Sequence, residues 1–166
     1  TIALWIRHDV NDPAIIGQDG GGGSGYSRVV SCPNYEIEMG VNSWEYDYFW
    51  PYGGGSWDTD IGKSYFAQPG GSLGAWYHLA LTFDGTNLTK YLNGQIAYQS
   101  DANAGNLLPD TWSGYSNEVP LRFGVQCDPL KDHLIGALDD IAIWGDSYLD
   151  QCGVQSLVCG TATPVS

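Results

Sequence analysis

Apolar and polar residues alternate with a period of two along most of the chain. Ile2, Leu4 and Ile6 interleave with Ala3, Trp5 and Arg7. Tyr77, Leu79, Leu81 and Phe83 interleave in the same way with Trp76, His78, Ala80 and Thr82. Successive strand side chains point to opposite faces of a sheet, so this pattern predicts strands with one buried face. Further strands are predicted at 26–31, 35–41, 44–50, 64–67, 87–92, 95–99, 120–126 and 134–144. Clusters of Gly, Asn, Asp, Ser and Pro separate them, as turns require. Asn93-Gly94 joins two of these segments, and both residues tolerate the positive φ of a type I′ hairpin turn. Asp84-Gly85 is a second predicted turn. One helix is predicted from Gln151 to Leu157, with Asp150 as its N-cap and Gly153 weakening it from within. The glycine-rich run from Gly20 to Gly25 reads as a surface loop. Many short strands, together with 23 glycines, predict an all-β fold. Its form is a sandwich or jelly roll with one short C-terminal helix.

Composition narrows the function classes. The 166 residues suit one domain over 1–160, with 161–166 as a tail or linker. Six Lys and Arg against 19 Asp and Glu give a formal charge of −13, a field that repels nucleic acid and anionic membrane surfaces alike. No apolar run approaches the roughly 20 residues that span a bilayer, so no membrane insertion is expected. The segment Thr1–Arg7 is strand-like and has no character of a signal peptide. Cys32, Cys127, Cys152 and Cys159 form no C-x-x-C pair, which argues against zinc. An even number of cysteines in such a chain reads as two disulfides and a secreted, extracellular or cell-surface location. Three pairings exist. The expectation is Cys152 with Cys159, closing a short loop, and Cys32 with Cys127 as a long-range bridge. The alternative is four buried thiols.

The run from Trp76 to Gly85, WYHLALTFDG, followed by Lys90-Tyr91-Leu92-Asn93-Gly94, closely resembles the W-x-H-x-A-x-T-F-D-G…Y-x-N-G signature of LamG-like domains. These belong to the concanavalin A-like lectin/glucanase superfamily, which also includes the pentraxins. Further likenesses follow in the family's order: Leu4-Trp5-Ile6, Leu121–Gly124, Gly136–Trp144 and the closing segment Leu149–Leu157. The resemblance implies two face-to-face antiparallel sheets of about fourteen short strands at full length. Family members carry another strand before the one at Leu4-Trp5-Ile6. The expectation is therefore a fragment of a longer polypeptide, or else a strand donated by a neighbouring chain.

Retaining glucanases need two carboxylates about 5 Å apart, carried in an E-x-D-x-E or E-x-D-x-x-E strand. Glu45 and Asp47 supply two acids, but Phe49 and Trp50 occupy the third positions, and Glu36 and Glu38 also lack a third partner. No catalytic residue is therefore assigned. Gly62-Lys63-Ser64 lacks the leading glycine of a phosphate loop, which would fall at Trp57. His8, His78 and His133 show no metal spacing, and His78 reads as a satisfied structural histidine. A structural Ca2+ is a candidate at Asp58, Asp60, Asp139 and Asp140, because hard cations want carboxylate oxygens. The resemblance places the last pair where related sandwiches hold calcium. Of the pentraxin calcium stretch at Gly124–Asp128, Asp128 alone is kept. Asn87-Leu88-Thr89 is a formal glycosylation sequon.

Aromatic side chains are the strongest binding signal. Sugar rings stack on them through their C–H faces, while Asp, Asn and backbone groups take the hydroxyls. Trp44, Tyr46, Tyr48 and Trp50 fall on one face of a strand and read as core. Tyr52, Trp57, Trp112 and Tyr115 lie in Gly- and Ser-rich segments and are the candidate ligand-binding residues. The sequence thus suggests a non-catalytic adhesion or recognition module for a polysaccharide or glycoprotein glycan. The alternative is a structural subunit assembling with copies of itself. A glycoside hydrolase is a third reading.

Overall fold

A computed structural model describes residues 1–9, 26–32, 35–40, 47–51, 74–84, 86–100, 121–125, 133–145 and 147–160. Its strands are β1 (Ile2–His8), β2 (Tyr26–Cys32), β3 (Tyr35–Gly40), β4 (Asp47–Pro51), β5 (Trp76–Phe83), β6 (Leu88–Leu92), β7 (Gln95–Ser100), β8 (Arg122–Phe123) and β9 (Gly136–Ile143). One helix, α1 (Gln151–Val158), follows them. The strands form a five-stranded sheet in the order β7-β6-β5-β1-β9 and a four-stranded sheet in the order β4-β3-β2-β8. Every pairing is antiparallel. The fold is the jelly-roll sandwich that the alternation predicts.

The core follows directly from that alternation. In register, Leu4 lies opposite Leu79 and Ile6 opposite Tyr77, so the apolar positions of β1 and β5 share one face. Leu4, Ile6 and Leu79 form one buried cluster with Val29 and Val30, and Tyr77, Phe123 and Leu138 pack against it. Val29, Val30 and Phe123 come from the four-stranded sheet, so this cluster joins the two layers. Two consecutive valines reach it because the β2–β3 register shifts between Arg28 and Val30, a bulge that inserts one residue.

The opposite face of the five-stranded sheet is partly covered by α1. Val154 is fully buried against Ala3, Ala80 and Tyr91, with Leu149 and Leu157 alongside. Ala3 and Ala80 are register partners, and their small side chains let a helix lie on the sheet. Asp150 caps the helix as expected, its carboxylate accepting the Gly153 N–H at 2.9 Å. The Asn93-Gly94 turn is also as expected, with φ of 49° and 78°.

Several expectations shift. The strand predicted at 120–126 contracts to Arg122–Phe123, because Gly124 turns the chain at φ 74° and accepts the Leu134 N–H at 2.7 Å. The strand at 134–144 begins at Gly136, and that at 44–50 is observed over Asp47–Pro51. The disulfide expected between Cys152 and Cys159 is absent: both cysteines are exposed and free. The segment between them is helical rather than a loop. Seven residues of helix separate Cα atoms by about 10 Å, beyond the roughly 4.4–6.8 Å that a disulfide tolerates. The predicted strand 64–67, the loop Gly20–Gly25 and the tail 161–166 lie outside the described residues. No described helix is long and apolar enough to cross a membrane.

Candidate functional site

Where α1 ends, the outward face of the five-stranded sheet continues. Since Ala3 packs beneath the helix, Trp5 and Arg7 share its face by the strand period. Register sets His78 opposite Trp5 and Trp76 opposite Arg7 on the β5 side. On the β9 side it sets Asp139 opposite Trp5 and Ala137 opposite Arg7. Two tryptophans, a histidine, an arginine and an aspartate therefore share one part of this sheet face.

Local contacts fix these groups. The Trp5 and His78 rings meet edge to face, with centroids 5.3 Å apart and planes at 74°. The Arg7 guanidinium lies 5.1 Å from the centre of the Trp76 ring. Its Nε and Nη2 donate to the Asp9 carboxylate at 2.7 and 2.9 Å. Trp76 remains 39% exposed. The hairpin turn anchors the backbone of His78, whose N–H donates to Asn93 Oδ1 at 2.9 Å and whose carbonyl accepts the Asn93 N–H at 2.8 Å.

A bulge in β9 shapes the edge of this surface. Ala142 pairs with Ala3 and Asp139 with Trp5, so Asp140 and Ile141 stand together opposite the single residue Leu4. Asp140 adopts φ 47°, a left-handed conformation that aspartate tolerates better than most residues. Asp139 Oδ1 accepts the Asp140 N–H at 2.9 Å and stabilises the kink. The result is a pocket of about 270 Å3, lined by Ala3, Trp5 and His78 of the sheet, Asp140 of the bulge, and Leu157 and Gly160 at the end of α1.

His78 departs from its expected role as a satisfied histidine. It is 2% exposed, and among the described residues its Nδ1 has no hydrogen-bond partner. A buried polar atom in that state costs about 1–3 kcal/mol. Burial pushes its pKa below the ordinary 6.5, against the smaller opposing pull of the Asp140 charge, so the ring is neutral at pH 7. Asp140 places a carboxylate at the pocket.

Of the sequence-predicted site residues, Asp139 and Asp140 come together at the bulge. Calcium takes six to eight oxygens, from carboxylates, carbonyls and waters; these two carboxylates would supply part of such a set, and the other two candidates, Asp58 and Asp60, lie outside the described residues. No group of three or more His, Cys, Asp or Glu side chains suited to a metal occurs among the described residues. Asp58, Asp60, Tyr52, Trp57, Trp112, Tyr115, Glu45 and Cys127 lie outside the described residues. Trp5, Trp76 and His78 were not predicted as site residues. Their signal was present as large aromatic rings at the polar-side positions of half-buried strands.

The family model of the concanavalin A-like lectin/glucanases superfamily, in a laminin G class, matches residues 1–151. The chain belongs to this superfamily. Among solved structures it is similar to a candidate carbohydrate-binding protein from Bacteroides ovatus, at 12% identity and a TM-score of 0.60, over 93% of this chain and 39% of that one. It is also similar to domain 4 of AbnA, a GH43 extracellular arabinanase from Geobacillus stearothermophilus, solved in complex with arabinotriose. The identity there is 19% and the TM-score 0.54, over 95% of this chain and 65% of that one. The receptor-binding domain of botulinum neurotoxin type G is a third similar structure, at 14% identity and a TM-score of 0.50, over 95% of this chain and 37% of that one. The chain thus spans less than two thirds of each of these three. At these identities the likeness concerns the superfamily fold. A search of curated proteins finds no significant match.

Proposed function

We propose that this superfamily member is a non-catalytic, extracellular recognition domain that binds carbohydrate on the outward face of its five-stranded sheet. The observation carrying the reading is the pairing of Trp5 and Trp76 with polar neighbours on sheet surface that α1 leaves open. The exposed Trp76 ring and the half-buried Trp5 ring offer the stacking surface that sugar C–H faces require, and Asp139, Asp140 and Asp9 offer hydroxyl acceptors. Two similar structures, a candidate carbohydrate-binding protein and an arabinanase domain solved with arabinotriose, support this direction.

Affinity electrophoresis on neutral plant and bacterial polysaccharides tests the reading, with a reducing-sugar assay in parallel. The expected result is retention on at least one polysaccharide with no sugar release. Trp5→Ala and Trp76→Ala should each weaken retention about tenfold, equivalent to ~1.4 kcal/mol. Sugar release that disappears in Glu45→Gln would make the domain a hydrolase instead.

A further inference from the structure

We infer that the pocket beside Trp5 takes a single terminal sugar ring without a carboxylate, so that the domain reads the end of a glycan chain. The inference rests on the carbohydrate-binding reading and specifies it. Three features of the pocket converge on this ligand.

The first is size. About 270 Å3 lies below the roughly 300–1,000 Å3 of pockets that enclose a drug-sized ligand, and suits one ring rather than a run of them. The second is shape. The pocket is bounded by Leu157 and Gly160 at the helix end and by the Asp140 bulge at the sheet edge. Along β1 in the other direction the surface continues to Arg7 and Trp76, about 6.8 Å beyond Trp5. A chain can leave over Trp76, but Leu157 and Gly160 stand at the helix side.

The third feature is polarity. The exposed Asp140 carboxylate accepts hydrogen bonds and repels anions. Arg7, the nearby cation, is already engaged by Asp9. His78 stands in the wall as a buried ring packed edge to face against Trp5. Hydroxyl donors fit such a wall, and a uronate or sialate does not. In this arrangement Trp5 is the stacking surface and Asp140 the hydroxyl acceptor. His78 is a positioning residue that braces the edge of Trp5.

Isothermal titration of the whole chain tests this with glucose, xylose, arabinose, galactose and mannose oligosaccharides of one to four units, and with counterparts ending in a uronic acid. Affinity should rise from one unit to two and level off by three. A terminal uronate should weaken binding at least tenfold. Asp140→Asn keeps the left-handed backbone accessible and should recover most of that loss, with the far-ultraviolet spectrum and melting temperature unchanged. Affinity that climbs steadily to four units, or equal binding of neutral and uronate-ended chains, overturns the end-reading pocket and leaves carbohydrate binding standing. Absence of binding to every saccharide overturns both.

Discussion

His78 shows how one residue ties stability to the candidate site. Burial lowers its pKa below 6.5, so the unfolded chain takes up a proton at a higher pH than the folded one. Its contribution to stability is therefore complete above about 6.5 and is lost as pH falls from there toward the depressed folded value. Urea unfolding at pH 7.5 and pH 5.0 should show wild type losing more stability between the two than His78→Gln. Equal losses would contradict the burial of His78 as a neutral ring. The sequence placed this histidine correctly on a strand. Its missing partner was not legible there, because satisfaction depends on what Asn93, Trp5 and Asp140 do around it, and those positions are remote in the chain. Asp140 is similar: an Asp-Asp pair was visible, but the bulge that turns it toward the pocket arises from pairing with β1.

At the scale of elements, the β6–β7 hairpin and α1 are coupled through Gly94. Its φ of 78° belongs to the turn, while a Cβ there would lie 3.1 Å from Gln155 Cγ and 3.3 Å from Gln155 Cα. Gly94→Ala therefore strains the turn and pushes on the helix backbone together, with an expected cost of about 1–3 kcal/mol. Gly74 has φ 79° with nothing within 4 Å among the described residues, so Gly74→Ala probes the backbone strain. Thermal unfolding should rank Gly94→Ala as the more damaging, and the reverse order would refute close docking of α1 on this hairpin. The strands, this turn and the Asp150 cap were readable because period, Asn-Gly and an aspartate N-cap are local signals. The Cys152–Cys159 bridge misled because it was inferred from sequence spacing, whereas the helix that separates the two thiols fixes their distance.

For the whole molecule, the order of motifs sufficed for the superfamily, but the binding surface did not follow from it. Fold alone does not select a ligand, and superfamily members divide among binding and catalysis. The aromatic residues singled out from sequence were those in loops, because a strand aromatic is usually core. Trp5 and Trp76 escaped because their outward setting becomes informative once β1 and β5 are in register and α1 is seen to stop short of them. That arrangement is the centre of the account, and chemical-shift mapping tests it most directly. Titrating the labelled chain with a neutral oligosaccharide that it retains should move the indole N–H signals of Trp5 and Trp76 and the ring signals of His78. Shifts at Tyr52, Trp57, Trp112 or Tyr115, with Trp5 and Trp76 silent, would contradict it and move recognition from the sheet to the loops.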